Sequence, residues 1–179
     1  ITQRKQSENK NLNNISSSEL VKQENIKNKG DKSTESSNKK DRLDINKLIP
    51  LNTLDPSEKE IKFLIQSWLK GKAYILNGLE SEILSSVARP SLFKRVIDQR
   101  KKDALLGQRQ VIDAKITFID IVQRSKNRIA ADVELNYKDK MINSSGKILS
   151  ETVIPSLKVK YIIGKNKNTW QVVDYISGN

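Results

Sequence analysis

Residues 55–78 read DPSEKEIKFLIQSWLKGKAYILNG and mark where a polar, aromatic-free sequence gives way to one that can build a core. Asp55 is placed to accept hydrogen bonds from the first free N–H groups of a helix. Pro56 loses nothing there by lacking an N–H, and Glu58 can reach back to the Asp55 N–H. Ile61, Leu64, Ile65, Trp68 and Lys72 recur at helical spacing and make one face wide enough to bury. Gly78, behind Asn77, is a stop signal. The spacing predicts a helix of about five turns laid against something large and apolar.

Upstream, residues 1–53 contain no aromatic side chain and are rich in Asn, Lys, Ser, Glu and Gln, which is the composition of a disordered polar linker. Leu12, Ile15, Leu20 and Val21 are too sparse for more than a short helix formed on a partner. Leu48, Ile49, Pro50, Leu51 and Leu54 form a small apolar cluster expected at the domain edge, with Leu54 as a hydrophobic staple for the first helix. Because the chain starts at Ile1 and not at Met, a fragment or processed product is expected, whose upstream part could hold a membrane anchor or further domains. Within these residues no run of about 18 apolar residues occurs, and no signal-peptide pattern is visible.

Downstream, Leu79 to Val87 carries Leu79, Ile83, Leu84 and Val87 on one helical side before Arg89-Pro90 breaks the pattern. Ser91 to about Leu105 predicts a third helix with Leu92, Val96 and Phe93 or Ile97 inward, its charged end DQRKKDALLG reaching into solvent. The period then changes from 3.6 to 2. Val111 to Val122 places Ile112, Ala114, Ile116 and Phe118 on one face and Ile119 and Ile121 on the other, a sign of a bulge or of a strand covered on both sides near its end. Arg128 to Lys138 alternates cleanly, with Ile129, Ala131, Val133, Leu135 and Tyr137 against charged and polar residues. Ile148 to Ile163 follows, with a bulge or edge expected at Pro155, and Thr169 to Ile176 closes the chain with Trp170, Val172, Val173 and Tyr175. Three helices and then four strands on short loops predict an α+β domain over 54–179, three N-terminal helices packed on a curved four-stranded antiparallel sheet, an NTF2-like or cystatin-like cone.

The absence of Cys and His removes disulfides, thiol nucleophiles, Cys/His zinc sites and histidine acid–base chemistry. No Gly-rich phosphate loop, HExxH or GxSxG is present, so no catalytic residue, cofactor or metal is assigned and an enzyme is not expected. Asp132 and Glu134 share the outer face of one strand, where Arg128 and Lys138 make a solvated mixed-charge face the simpler reading. Trp68, Phe118, Tyr137, Tyr161 and Trp170 are expected to fill the cone and to supply any pocket lining or partner contact, Trp68 chiefly as a core plug. The net charge is +12, and the folded part carries most of it: residues 1–55 hold 11 basic and 8 acidic residues, the remainder 22 and 13. Lys94, Arg95, Arg100, Lys101, Lys102 and Arg109 are the densest basic group and a candidate surface for anionic lipid. Nucleic acid is disfavoured because no aromatics are interleaved with these charges.

LIQSWLKGKA at 64–73 and SLKVKYIIGKNKNTWQVVDYI at 156–176, with three helices and four strands in order, resemble the IMS domain. That is the C-terminal intermembrane-space domain of the ARC-type chloroplast division proteins and their cyanobacterial, ZipN-like relatives. The matching pieces are Leu64 to Leu69 with Lys72-Ala73, Leu157 to Tyr161, and Trp170 to Asp174. GQRQVIDAKI at 107–116 departs from the family by lacking an aromatic-rich stretch, so contact residues are not carried over there. The resemblance implies a non-enzymatic interaction domain of a membrane-anchored cell-division protein that anchors or positions the FtsZ ring. Its domain would lie in the periplasm or the plastid intermembrane space and bind other division proteins. Residues 1–53 would then be a spacer reaching about 40 Å as a random coil. The alternative is an NTF2-like ligand-binding or anionic-surface-binding module of an unrelated parent.

Overall fold

The computed structural model describes residues 49–178; the linker, its sparse apolar residues and Leu48 lie outside them. Three helices, α1 (Glu58–Leu76), α2 (Glu82–Val87) and α3 (Pro90–Leu105), precede four strands, β1 (Gln108–Arg124), β2 (Arg128–Asn143), β3 (Ile148–Asn166) and β4 (Thr169–Ser177). The strands form one antiparallel meander in the order β1-β2-β3-β4, and the helices cover its inner face. Each strand runs longer than the alternation alone indicates.

The start of α1 differs from the sequence expectation. The N-cap is Ser57, not Asp55: its hydroxyl accepts from the Glu60 N–H, and Glu60 accepts from the Ser57 N–H at 2.8 Å, a complete capping box. DPSEKE holds two overlapping capping boxes, Asp55 with Glu58 and Ser57 with Glu60, and the second is the one that forms. Asp55 instead pairs with Arg124 at the end of β1. The hydrogen bond from Thr53, with those from Ser57, holds the Glu60 carboxyl below its usual range against the opposing effect of burial. Leu54 is no staple, being 78% exposed. Leu51 takes the buried place, pairing its backbone with β4 through Trp170 N–H to Leu51 O at 2.9 Å, while the Trp170 indole N–H donates to Thr53 O.

On α1 the expected stripe is buried: Ile61, Leu64, Ile65 and Trp68 lie inside, Lys72 only half so. Helix α1 ends at Leu76, with Gly78 in the left-handed conformation that releases the chain (φ 86°). Gly71 lets α2 approach closely, since a Cβ there would stand 3.1 Å from Leu84 Cδ1. Helix α2 is shorter than its apolar pattern and turns only Leu84 and Val87 inward; Leu79 and Ile83 are exposed. Its end is tied to β4, where the Arg89 N–H donates to Val172 O.

Bulges decide which side chains face the helices. Strand β2 alternates without interruption from Ile129 to Leu135, and its neighbours must match it. A bulge at Thr117 in β1 shifts the register between Ile116 and Phe118, so Ile119 turns inward opposite Val133. Phe118 therefore does not fill the interior; it stands opposite Glu134 on the outer face, 57% exposed. A second irregularity at Pro155-Ser156 lets Tyr137 pair with Ile154, the bulge expected at that proline. A third, at Val173, keeps Trp170, Val172 and Tyr175 on the same side.

Trp68, 1% exposed and central to the core, sets the first expectation. Trp68→Ala should lower unfolding free energy by about 3–5 kcal/mol, read from urea denaturation. Ser57→Ala should cost about 1 kcal/mol in the same assay, while Asp55→Ala leaves the cap intact.

Candidate functional site

Between α1, α3 and the open end of the inner face lies a hollow of about 330 Å³. Tyr175 lines it and belongs to an aromatic group packed behind it. Trp68 and Tyr175 lie 6.1 Å apart between ring centres at 45°, and Tyr161 and Tyr175 6.0 Å apart at 37°, tilted arrangements that suit aromatic quadrupoles. Tyr175 is the wet member of the three. Lys72 Nζ donates to its hydroxyl at 3.4 Å and stands 5.1 Å from its ring centre, and the Arg95 guanidinium lies 5.9 Å from the same ring. Arg95 also donates to Asp174 at 2.8 Å, which holds the Asp174 carboxyl below the usual carboxylate range. Two cations thus meet over one aromatic face at the mouth.

Behind them is a polar rank. Tyr137 donates to Asp139 at 3.2 Å, and Gln110 donates to the same carboxylate oxygen at 2.6 Å. The other oxygen of Asp139 is buried without a partner among the described residues, as is one oxygen of Asp103, whose second oxygen accepts from Gln99 at 2.8 Å. Burial, and then the Asp139 carboxylate, push the Tyr137 phenol well above its ordinary range; burial does the same to Tyr161. The described residues contain no grouping of acidic side chains arranged to hold a metal ion.

Of the five aromatics expected to line a pocket, Trp68, Tyr161 and Trp170 are core and Tyr137 is half-buried behind the mouth. Trp170 sits at the far end of the sheet, under Leu51 and with Lys165 over its ring. Phe118 lies on the outer face. There a hollow of about 640 Å³ runs past Phe118, Asp120, Asp132, Glu134, Lys160 and Ile176. Asp132 pairs with Lys160 at 3.4 Å and Glu134 accepts from Ser156.

The six basic residues are engaged differently. Lys94 pairs with Asp98 at 2.6 Å and Arg95 turns to the mouth. Arg100 donates to Gln108 O at 2.7 Å and Arg109 to Asn77, while Lys101 and Lys102 are exposed. The third helix's charged end is not wholly in solvent either, since Asp103 is 3% exposed. Sequence reasoning missed Tyr175, Gln110 and Asp139 as parts of one site. The available signal was Lys72, a cation in the apolar stripe of α1 one turn after Trp68.

A family described as "ARC6-like, IMS domain" matches residues 62–173, more than half of the chain. The chain belongs to this family. Its domain is one of plastid- and cyanobacterial-type division proteins. The crystal structure of the intermembrane space region of chloroplast protein ARC6 superposes with a TM-score of 0.56 at 13% identity, covering 69% of this chain and 97% of that one. A putative dehydratase of the NTF2-like family from Streptomyces avermitilis has a TM-score of 0.47 at 7% identity, covering 66% and 93%. Aln2 from another Streptomyces strain has 0.44 at 9%, covering 69% and 93%. No curated protein sequence matches the chain.

The raised phenols set a pH dependence. A tyrosine in the unfolded chain titrates near 10, and Tyr137 and Tyr161 titrate above that when folded, so above pH ~10 the unfolded state loses protons the native state keeps. This contribution to stability is whole below pH ~10 and is lost as pH rises further. Urea midpoints at pH ~9 and ~11 should show the fall, and Tyr161→Phe should make it shallower.

Proposed function

We propose that this chain is the partner-binding domain of a membrane-anchored division protein of the cyanobacterial or plastid type, acting by protein–protein contact and not by catalysis. The parent protein would anchor or position the division ring. The domain would work in the periplasm or the plastid intermembrane space, held to its membrane by a segment upstream of the polar stretch 1–53. That stretch would serve as a spacer whose last residues, Leu51 to Thr53, lie along β4. No helix among the described residues is long and apolar enough to cross a membrane.

Family membership over residues 62–173 carries this reading. The interior supports contact at a rim over capture of a small molecule. Trp68, Tyr161 and Trp170 fill the inner face, and the remaining 330 Å³ is at the low end for ligand pockets. The mouth offers Lys72 and Arg95 over Tyr175, a place for a carboxylate on an extended partner segment, with Arg95 able to form a planar, two-pronged contact.

Depletion of the parent protein should give elongated cells with misplaced or missing division rings; normal division without it overturns the proposal. Lys72→Ala with Arg95→Ala should weaken capture of an acidic division partner on the order of tenfold in calorimetric titration while leaving the fold unchanged.

A further inference from the structure

At the end of the sheet remote from where residues 49–57 join it, the surface combines exposed leucines with basic charge. Helix α3 finishes in Leu105 and Leu106, 88% and 69% exposed, and Gly107 (φ 64°) turns the chain straight into β1. Such adjacent, fully presented leucines contribute nothing to the core. Gln108 pairs with Asn143, which brings the β2–β3 hairpin Asn143–Lys147 alongside. A Cβ on Gly107 would stand 3.9 Å from Ser144 Oγ. Beyond the hairpin, Ile148 and Leu149 are each 46% exposed, so apolar side chains flank the tip on both sides.

The charge at this tip is one-sided. Lys101, Lys102, Arg109 and Lys147 are exposed and Arg100 half-buried. Of the acids nearby, Asp103 is buried under Gln99, Asp98 pairs with Lys94, and Glu151 pairs with Lys140 at 3.2 Å, while Glu80, two residues beyond the Gly78 that Arg100 approaches, is exposed. Between the hairpin and α3 lies a hollow of about 580 Å³ bordered by Arg100, Arg109, Asn143, Ser144 and Ser145. Arg100 and Arg109 each spend a donor on Gln108 O and Asn77, and a guanidinium carries five.

We propose that this tip docks on an anionic lipid bilayer. Leu105 and Leu106 enter the headgroup–acyl boundary, Lys101 and Lys102 lie against the negative surface, and the hollow between Arg100, Arg109 and the hairpin serines receives a lipid phosphate. Charge complementarity names the occupant: exposed leucines beside Lys101, Lys102, Arg109 and Lys147 match an anionic interface better than a protein groove. Residues 51–56 are held to β4 and to Arg124, at the other end of β1. The 17 residues of β1 would separate the two ends by about 50 Å if straight. The inference does not rest on the family reading.

The test uses the whole chain with phosphatidylcholine vesicles and with vesicles containing phosphatidylglycerol, in sedimentation at ~0.1 M and ~0.5 M salt. Binding should appear only with phosphatidylglycerol and fall away at the higher salt. Lys101→Ala with Lys102→Ala should weaken it roughly tenfold or more, and Leu105→Ser with Leu106→Ser on the order of tenfold. Lys158→Ala with Lys160→Ala removes the same charge from the outer face and should leave binding unchanged. The chain has no cysteine, so Leu106→Cys can carry a single polarity-sensitive dye that shifts to the blue on binding, whereas the dye at Phe118→Cys does not shift. An equal loss with the outer-face lysines reduces the effect to net charge and overturns the proposal. So does unchanged binding by the leucine variant, displacement by millimolar inorganic phosphate, or no binding at all.

Discussion

The fold depends on giving a one-sided sheet a cover. Strand β2 is bonded on both edges and alternates strictly through Ile129, Ala131, Val133 and Leu135, all buried. Its apolar face cannot remain in water, and α1 is the element long enough to lie along it. Trp68 is where the two meet. It packs within the core cluster formed by Ile65, Leu135 and Tyr161, and meets Tyr175 in a tilted aromatic pair. The other contacts follow: α2 and α3 close the sides of α1, and Leu51 with Trp170 closes the far end.

The parity of β2 propagates outward, and the bulges absorb the mismatch. This explains why much of the architecture was legible in the sequence and why particular side chains were not. Three helices, four strands, the apolar stripe of α1, the stop at Gly78 and the bulge at Pro155 each rest on a local signal. Phe118 had no such signal. In ITFIDI both Phe118 and Ile119 are apolar, and alternation alone admits either as the inward residue. Pairing with β2 decides, because Glu134 opposite Phe118 cannot face the core while Val133 and Leu135 do. The cap is a second case. Asp55 and Ser57 both suit a helix start locally, and Arg124, 69 residues away, takes Asp55. The polar rank behind the mouth is a third, since Gln110 on β1 meets Tyr137 and Asp139 on β2 through a register set elsewhere.

Charge is distributed by the same logic. On the outer face, Asp120 and Asp132 sit directly opposite each other, a destabilising pair taken alone. The next strand supplies Lys160 to Asp132, so the face balances itself across three strands. The excess of basic residues in the folded part, 22 against 13, is therefore not spread evenly over the domain. Exposed ion pairs such as Lys94–Asp98 add little stability, but they fix which cations remain free to meet something else.

These two constraints leave few places for function. The inner face is filled by aromatics and aliphatics and the outer face is largely self-neutralised, so neither broad surface holds unspent chemistry in quantity. What remains lies at edges. At the mouth, the inner face meets α3, and Lys72 and Arg95 share Tyr175 because the aromatic stack ends there in a half-exposed ring. At the tip, α3 ends before β1 begins and the chain must turn within one glycine, which forces Leu105 and Leu106 outward. A helix-on-sheet domain whose core uses the whole inner face can present cations and apolar side chains together only where an element stops. Both surfaces assigned a role here are such places, each flanked by α3.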